Sequence, residues 1–280
     1  MRIINTELIS AVVAELCIES NLNLPKDLCC KMTEAAQTET NTLCRQALND
    51  LCKNFEAAKT LSVPICQDTG MAVVFLEIGQ DVKLEGKLLK DAVNEGVARG
   101  YEEGFLRKSI VGDPFKRSNT GDNTPAVIHT EIISGDKIKI TVAPKGFGSE
   151  NMSALRMFNP TCPPDDIMNF VTETVITASG NPCPPLVIGV GIGGNFEYCA
   201  YLAKKAICRN VNVRHTDSFY ETLEIQILNA LNKTGIGTQG FGGDITALAV
   251  NIETFPTHIA GLPVAVNIGC HVNRHASKTI

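Results

Sequence analysis

Apolar residues recur at near-helical spacing through the first sixty positions. Leu8, Val12, Ala14 and Leu16 form one set and Leu43, Ala47, Leu48 and Leu51 another. This pattern predicts helices over about residues 6–60, and Leu24-Pro25 separates the first from the second. The loop Pro64–Gly70 precedes an apolar strand at 72–78, and residues 86–103 return to helix. A Gly/Asp/Asn/Pro-rich loop covers 112–125. Val127–Ile133 and Lys137–Val142 flank Ser134-Gly135-Asp136, and the alternation of Ile138, Ile140 and Val142 predicts a β-hairpin. Helices are expected at about 165–178, 197–208 and 217–232, and strands at 184–188, 245–252 and 262–268. No internal repeat or low-complexity linker interrupts the chain. The expectation is one catalytic domain over 1–280 of mixed α/β class, with a helical section at about 1–62 and mixed β-sheets surrounded by helices.

Composition narrows the function classes. The chain has 280 residues, a formal net charge of −5 and an isoelectric point near 5.6. That balance argues against a nucleic-acid surface, which needs a basic excess. The apolar runs are too short to span a bilayer and the N-terminus lacks signal-peptide character, so the expected compartment is the cytoplasm.

The stretch IGVGIGG (188–194) matches the G-x-G-x-x-G spacing of a dinucleotide-binding turn. Such a site requires an acidic residue about 20 positions further on, at a strand end. The nearest candidate, Asp217, instead reads as a helix N-cap. The fold is therefore not expected to be a true Rossmann dinucleotide fold. The strand supports the loop before it, and its glycines serve a tight turn and close helix packing.

Polar residues concentrate in glycine-punctuated loops, a pattern expected of a site assembled at strand ends. Of 11 cysteines, most lie in helix-like segments as small hydrophobes. Cys66, Cys162, Cys183 and Cys270 lie in loops. Cys66 and Cys183 are 117 residues apart and Cys183 and Cys270 are 87 apart, unlike the short paired spacings of structural zinc sites. Three separate thiolates suit an iron–sulfur cluster with one open iron, a Lewis acid able to help a hydroxyl leave. A lyase of that kind also needs a base and cations for carboxylates. Asp68, Arg107, Lys145, His258 and Arg274 lie in or beside the glycine loops.

The strings PICQDTG, NTGDNTPAVIHTE, PKGFGSENMS, NPCPPLVIGVGIGGNFEYCAYLAKKA, GIGTQGFGG and NIGCHVNRH resemble the α subunit of class I, iron–sulfur-dependent fumarate hydratases, within the wider fumarase and tartrate dehydratase family. The resemblance runs in order from about residue 5 onward. It implies a 4Fe–4S cluster held by Cys66, Cys183 and Cys270. Cys162 lies in a similar CPP but lacks the glycine-rich strand that follows Cys183. The resemblance further implies substrate contacts from Gln67, Asp68, Arg107, Lys145, Gly146, Ser149, Asn151 and His258. Asp68 and His258 are the catalytic candidates, with Asp68 in proton transfer.

Single-chain relatives continue into a second domain after the last cysteine. Cys270 lies near the end of this chain, so the resemblance implies a separate β subunit that completes the site, and a higher heteromer. The loops favour fumarate as substrate, with L(+)-tartrate as the alternative. A nucleotide-dependent oxidoreductase and an iron–sulfur sensor are the remoter alternatives. The sensor offers no reason for Gln67, Asp68, Arg107 and His258 to accompany the cysteines.

Overall fold

The computed structural model describes all residues from Met1 to Ile280. In chain order the elements are β1 (Arg2–Asn5), α1 (Thr6–Leu22), α2 (Lys26–Thr38), α3 (Thr42–Leu61), β2 (Met71–Gly79), β3 (Val82–Glu85), α4 (Leu89–Glu103), β4 (Val127–Ile133) and β5 (Ile138–Lys145). They continue with α5 (Phe147–Glu150), β6 (Ala154–Phe158), α6 (Pro164–Ala178), β7 (Leu186–Gly194), α7 (Phe196–Ala206), α8 (Ser218–Asn232), β8 (Ala247–Thr257), β9 (Leu262–Gly269) and β10 (Ala276–Thr279). The class is mixed α/β. No helix is long and apolar enough to cross a membrane. The chain divides into two compact units. The first is Met1–Pro25, Phe55–Phe147 and Arg274–Ile280; the second is Lys26–Asn54 and Gly148–Asn273.

The first unit is built on a four-stranded sheet of order β10-β5-β2-β4. Here the hairpin expectation fails. β4 and β5 do not pair; β2 lies between them, parallel to β4 and antiparallel to β5. The physical reason lies in β2 itself. Its run MAVVFLEIG is buried at all but two positions, and a strand covered on both faces takes the centre of a sheet. Ser134-Gly135-Asp136 spans the end of β2: Gln80 and Asp81 donate to the carbonyls of Ile133 and Gly135 at 2.7 and 2.9 Å. Helix α1 packs on α4 and on the sheet. The contact is close because α4 carries glycines: a Cβ at Gly96 would lie 2.5 Å from the Ser10 carbonyl oxygen.

The second unit has a sheet of order β6-β9-β7-β8, with β7 parallel to β8 and antiparallel to β9. An antiparallel neighbour beside the glycine-rich strand departs from the parallel order of a dinucleotide fold. The tight-turn reading of the glycines needs correction as well. Gly189 and Gly191 sit inside β7 instead of in a turn. A Cβ on Gly189 would lie 2.2 Å from the Ala203 carbonyl oxygen, and one on Gly191 would lie 2.0 Å from that of Cys199. Those two glycines let α7 lie against the strand. Positive φ begins only at Gly193 (95°) and Gly194 (69°), where the chain turns into α7. The Asn195 side chain caps that helix by accepting from Tyr198 N at 3.0 Å, as an N-cap does.

Candidate active site

In the first unit, the loop from Cys66 to Gly70 leads directly into β2 and is held on every side. Asp68 Oδ1 accepts the Gly70 N–H at 3.0 Å, closing a tight turn, and Oδ2 accepts the Phe147 N–H at 2.9 Å. The Thr69 hydroxyl donates to the Arg107 carbonyl at 2.9 Å, so the backbone of Arg107 is fixed beside the loop while its side chain is exposed. The buried Tyr101 hydroxyl lies 2.8 Å from the carbonyls of both Thr69 and Gly70. The loop therefore cannot shift without breaking a buried hydrogen bond. Burial pushes the Tyr101 hydroxyl pKa well up, so it stays a neutral donor.

Two further residues complete this loop's frame. Asn123, fully buried, donates from Nδ2 to the Gly70 carbonyl at 3.2 Å and accepts the Ser109 N–H at 2.7 Å. The Arg274 guanidinium, 4% exposed, donates to the Asp68 carbonyl. Arg274, a candidate cation for substrate, makes a structural contact to the loop backbone in this unit. Asn123 and Tyr101 were not singled out from sequence. Asn123 lies in the NTGDNTP string, in a turn where it adopts φ 64°. Gly70, at φ 79°, leaves no room for a side chain: a Cβ there would lie 2.8 Å from Lys145 N. Lys145 is 6% exposed, with its ammonium 3.2 Å from the Gly146 carbonyl. Gln67 is exposed, and Cys66 Sγ lies 3.4 Å from Gln67 Oε1.

The second unit carries the other two loop thiols of the proposed set. The register Val187↔Gly269 between β7 and β9 brings the loops of Cys183 and Cys270 to the same end of the sheet. The His271 N–H reaches the Cys183 carbonyl at 3.3 Å. Cys183 is exposed and held at φ 56°. His258 is exposed in the turn between β8 and β9, where its Nδ1 accepts the Ala260 N–H at 3.1 Å. That bond leaves the ring proton of the neutral imidazole on Nε2. Ser149 is buried and Asn151 exposed. Thus Cys66, Gln67, Asp68, Arg107, Lys145 and Gly146 belong to one unit, and Ser149, Asn151, Cys183, His258 and Cys270 to the other.

The cysteines differ in their surroundings. Iron binds thiolate, so a ligand cysteine must lose its proton. Cys17 is fully buried and its thiol is pushed up to about 12 by burial. Burial also raises Cys44, Cys162 and Cys199, and Cys162 packs against the apolar cluster of the second sheet. Cys66, Cys183 and Cys270 are at least partly open to solvent and sit in polar loops, and no cysteine is in a disulfide. No group of three or more His, Cys, Asp or Glu side chains is gathered as for a single metal ion. Separate accessible thiols are the donor set that a cluster uses, one thiolate per iron, so these residues fit the group.

The chain is of mixed α/β class, and its polar loops present separate thiols, a backbone-clamped carboxylate and the exposed Arg107. The family described as fumarate hydratase (Fumerase) matches residues 10–279, and the chain belongs to it. This is a family of hydro-lyases. The chain is 41% identical over 279 residues to a protein of Methanocaldococcus jannaschii named putative L(+)-tartrate dehydratase subunit alpha, covering 97% of both. It is 31% identical over 279 residues to the L(+)-tartrate dehydratase subunit alpha of Escherichia coli K12, covering 97% of this chain and 90% of that protein.

Proposed function

We propose that this chain is the α subunit of a class I fumarate hydratase, reversibly adding water to fumarate to give (S)-malate. The observation that carries the reading is the Cys66–Gly70 loop, which puts a loop thiol two residues from a carboxylate clamped by two backbone N–H groups. Cys66, Cys183 and Cys270 would hold a 4Fe–4S cluster, which supplies a Lewis-acidic iron for the substrate hydroxyl. Asp68 removes the proton from the carbon next to a carboxylate in the dehydration direction, directly or through a relay, and returns it in hydration. Its clamp holds both carboxylate oxygens in place, so no reorganisation is needed when the proton moves. Arg107 pairs with one substrate carboxylate. Gln67, the Lys145–Asn151 segment and His258 contribute hydrogen bonds that orient the substrate.

A separate β subunit completes the enzyme, a reading supported by the subunit alpha names of both relatives. The pair assembles into a higher heteromer and works in the cytoplasm, where cysteines outside disulfides persist as thiols.

L(+)-tartrate is the second reading, favoured by the relatives' names. Both substrates are four-carbon dicarboxylates and both reactions remove water across a C–C bond. The test is co-expression with the β subunit, followed by anaerobic assay of malate, fumarate and L(+)-tartrate. A higher kcat/KM for fumarate and malate is expected. Preference for tartrate would replace the first reading with the second, and activity on neither would remove both.

A further inference from the structure

Two consecutive carbonyls in the Cys183 loop are each held by the backbone and the side chain of a single residue. The Pro184 carbonyl accepts the Gln239 N–H at 2.9 Å and the Gln239 Nε2–H at 2.6 Å. The Cys183 carbonyl accepts the His271 N–H at 3.3 Å and lies 2.9 Å from His271 Nδ1. A carbonyl only accepts, so Nδ1 carries the ring proton. Turning the Gln239 amide round would set its oxygen against the Pro184 oxygen, so Nε2 is the atom that faces Pro184. The 3.2 Å approach of Nε2 to His271 Nδ1 then packs two donors side by side, each already pointed at its own carbonyl.

The loop needs this clamp. Cys183 and Gln239 are both non-glycine residues in the left-handed region, at φ 56° and 54°, and such residues persist only where their surroundings over-determine them. Gln239 is itself seated from below. Glu39, 1% exposed, accepts the N–H groups of Asn41, Asp244 and Ile245 at 2.9 to 3.1 Å, and the Cys44 thiol donates to the Gly242 carbonyl. A buried carboxylate thus anchors the GTQGFGG loop, and the loop's glutamine anchors Cys183.

We propose that Gln239 is a positioning residue for the thiols: it presets the Cys183 loop, whose Cys183 carbonyl in turn holds His271 beside Cys270, before iron arrives. This rests on the reading that Cys66, Cys183 and Cys270 take up a cluster. Losing the side chain's neutral hydrogen bond corresponds to roughly a three- to tenfold change in a local opening equilibrium.

The test compares the full chain with Gln239→Leu, which keeps the volume and removes the donors. Amide exchange in the apoprotein is read by mass spectrometry on peptides containing Cys183 and His271. The anaerobically reconstituted protein is assayed for iron content, rate of iron loss to a chelator, and the electron paramagnetic resonance line shape of the oxidised cluster. Three- to tenfold faster exchange confined to those peptides, faster iron loss and a broadened signal are expected at an unchanged thermal midpoint. Unchanged exchange and unchanged iron loss overturn the proposal. If the parent protein takes up no cluster, the cluster reading fails, while the exchange arm still decides the clamp. Should Gln239→Leu not fold, Gln239→Glu, which sets a carboxylate oxygen against Pro184, is held to the same two measurements.

Discussion

The Asp68 carboxylate receives the backbone N–H of Phe147 at 2.9 Å, linking two loops 79 residues apart in sequence. With the Gly70 N–H on its other oxygen, Asp68 organises the first unit's loop as well as offering a base. Asp68→Asn keeps one acceptor and much of the turn. It should keep the iron and sulfide content and lower kcat at least ~100-fold with the β subunit present, the scale of a lost general base. Retained turnover would take Asp68 out of the mechanism. Asp68→Ala strands both N–H groups and should in addition cost about 1–3 kcal/mol of stability in denaturant unfolding.

The cysteines make a sharper pair of predictions. Serine at Cys66, Cys183 or Cys270 should abolish the broad visible absorbance that follows anaerobic reconstitution with iron and sulfide. Cys162→Ser should leave it intact, because that thiol lies against an apolar cluster and burial holds its proton on. A full complement of iron in Cys183→Ser would overturn the ligand assignment. Air should destroy both colour and activity in the parent protein.

Gly191 tests the reading of β7. Its missing Cβ is where the Cys199 carbonyl lies, 2.0 Å away. Gly191→Ala must push α7 off the strand, and overpacking of this kind typically costs about 1–3 kcal/mol. A fall of that size in the unfolding free energy is expected, with no NAD binding by calorimetry in either protein. A stable Gly191→Ala would mean that the helix does not rest on the strand as described.

Alkaline stability follows from Cys17. Its folded thiol titrates at about 12 against an ordinary 9.0, so the folded chain keeps a proton that the unfolded chain gives up. The contribution is intact below pH 9 and is lost as pH rises from 9 toward 12, at about 1.4 kcal/mol per pH unit. Urea unfolding at pH 8 and pH 10.5 should therefore show a steeper loss in the parent than in Cys17→Ala. Equal slopes in the two would refute the assignment.

Much of the site region was readable because its residues are confined to short motifs with glycine or proline at each turn. The six strings locate the loops, and the helices at 164–178, 196–206 and 218–232 follow their apolar period closely. What escaped depends on contacts distant in sequence. Nothing near Ser134-Gly135-Asp136 announces that β2, which ends at Gly79, will separate its flanking strands. The four-residue strands β1, β3 and β10 and the five-residue β6 are too short to show alternation. Inside β7 the glycine spacing mimics a phosphate-binding turn, and only the position of α7 reveals its packing role. Gln239 lies inside the GTQGFGG motif, but its partner Pro184 is 55 residues away.

The interleaving of the two units along the chain sets an order of manufacture. Strand β10 covers the edge of β5, pairing Ala276 with Val142, yet every strand of the second sheet is translated between those two residues. On the ribosome, the first sheet must wait with β5 exposed while its counterpart is made, and an uncovered strand edge invites pairing with other chains. Solubility during synthesis therefore hangs on residues 276–279, and anything that delays or displaces them should surface first as aggregation, before any loss in the rate of turnover.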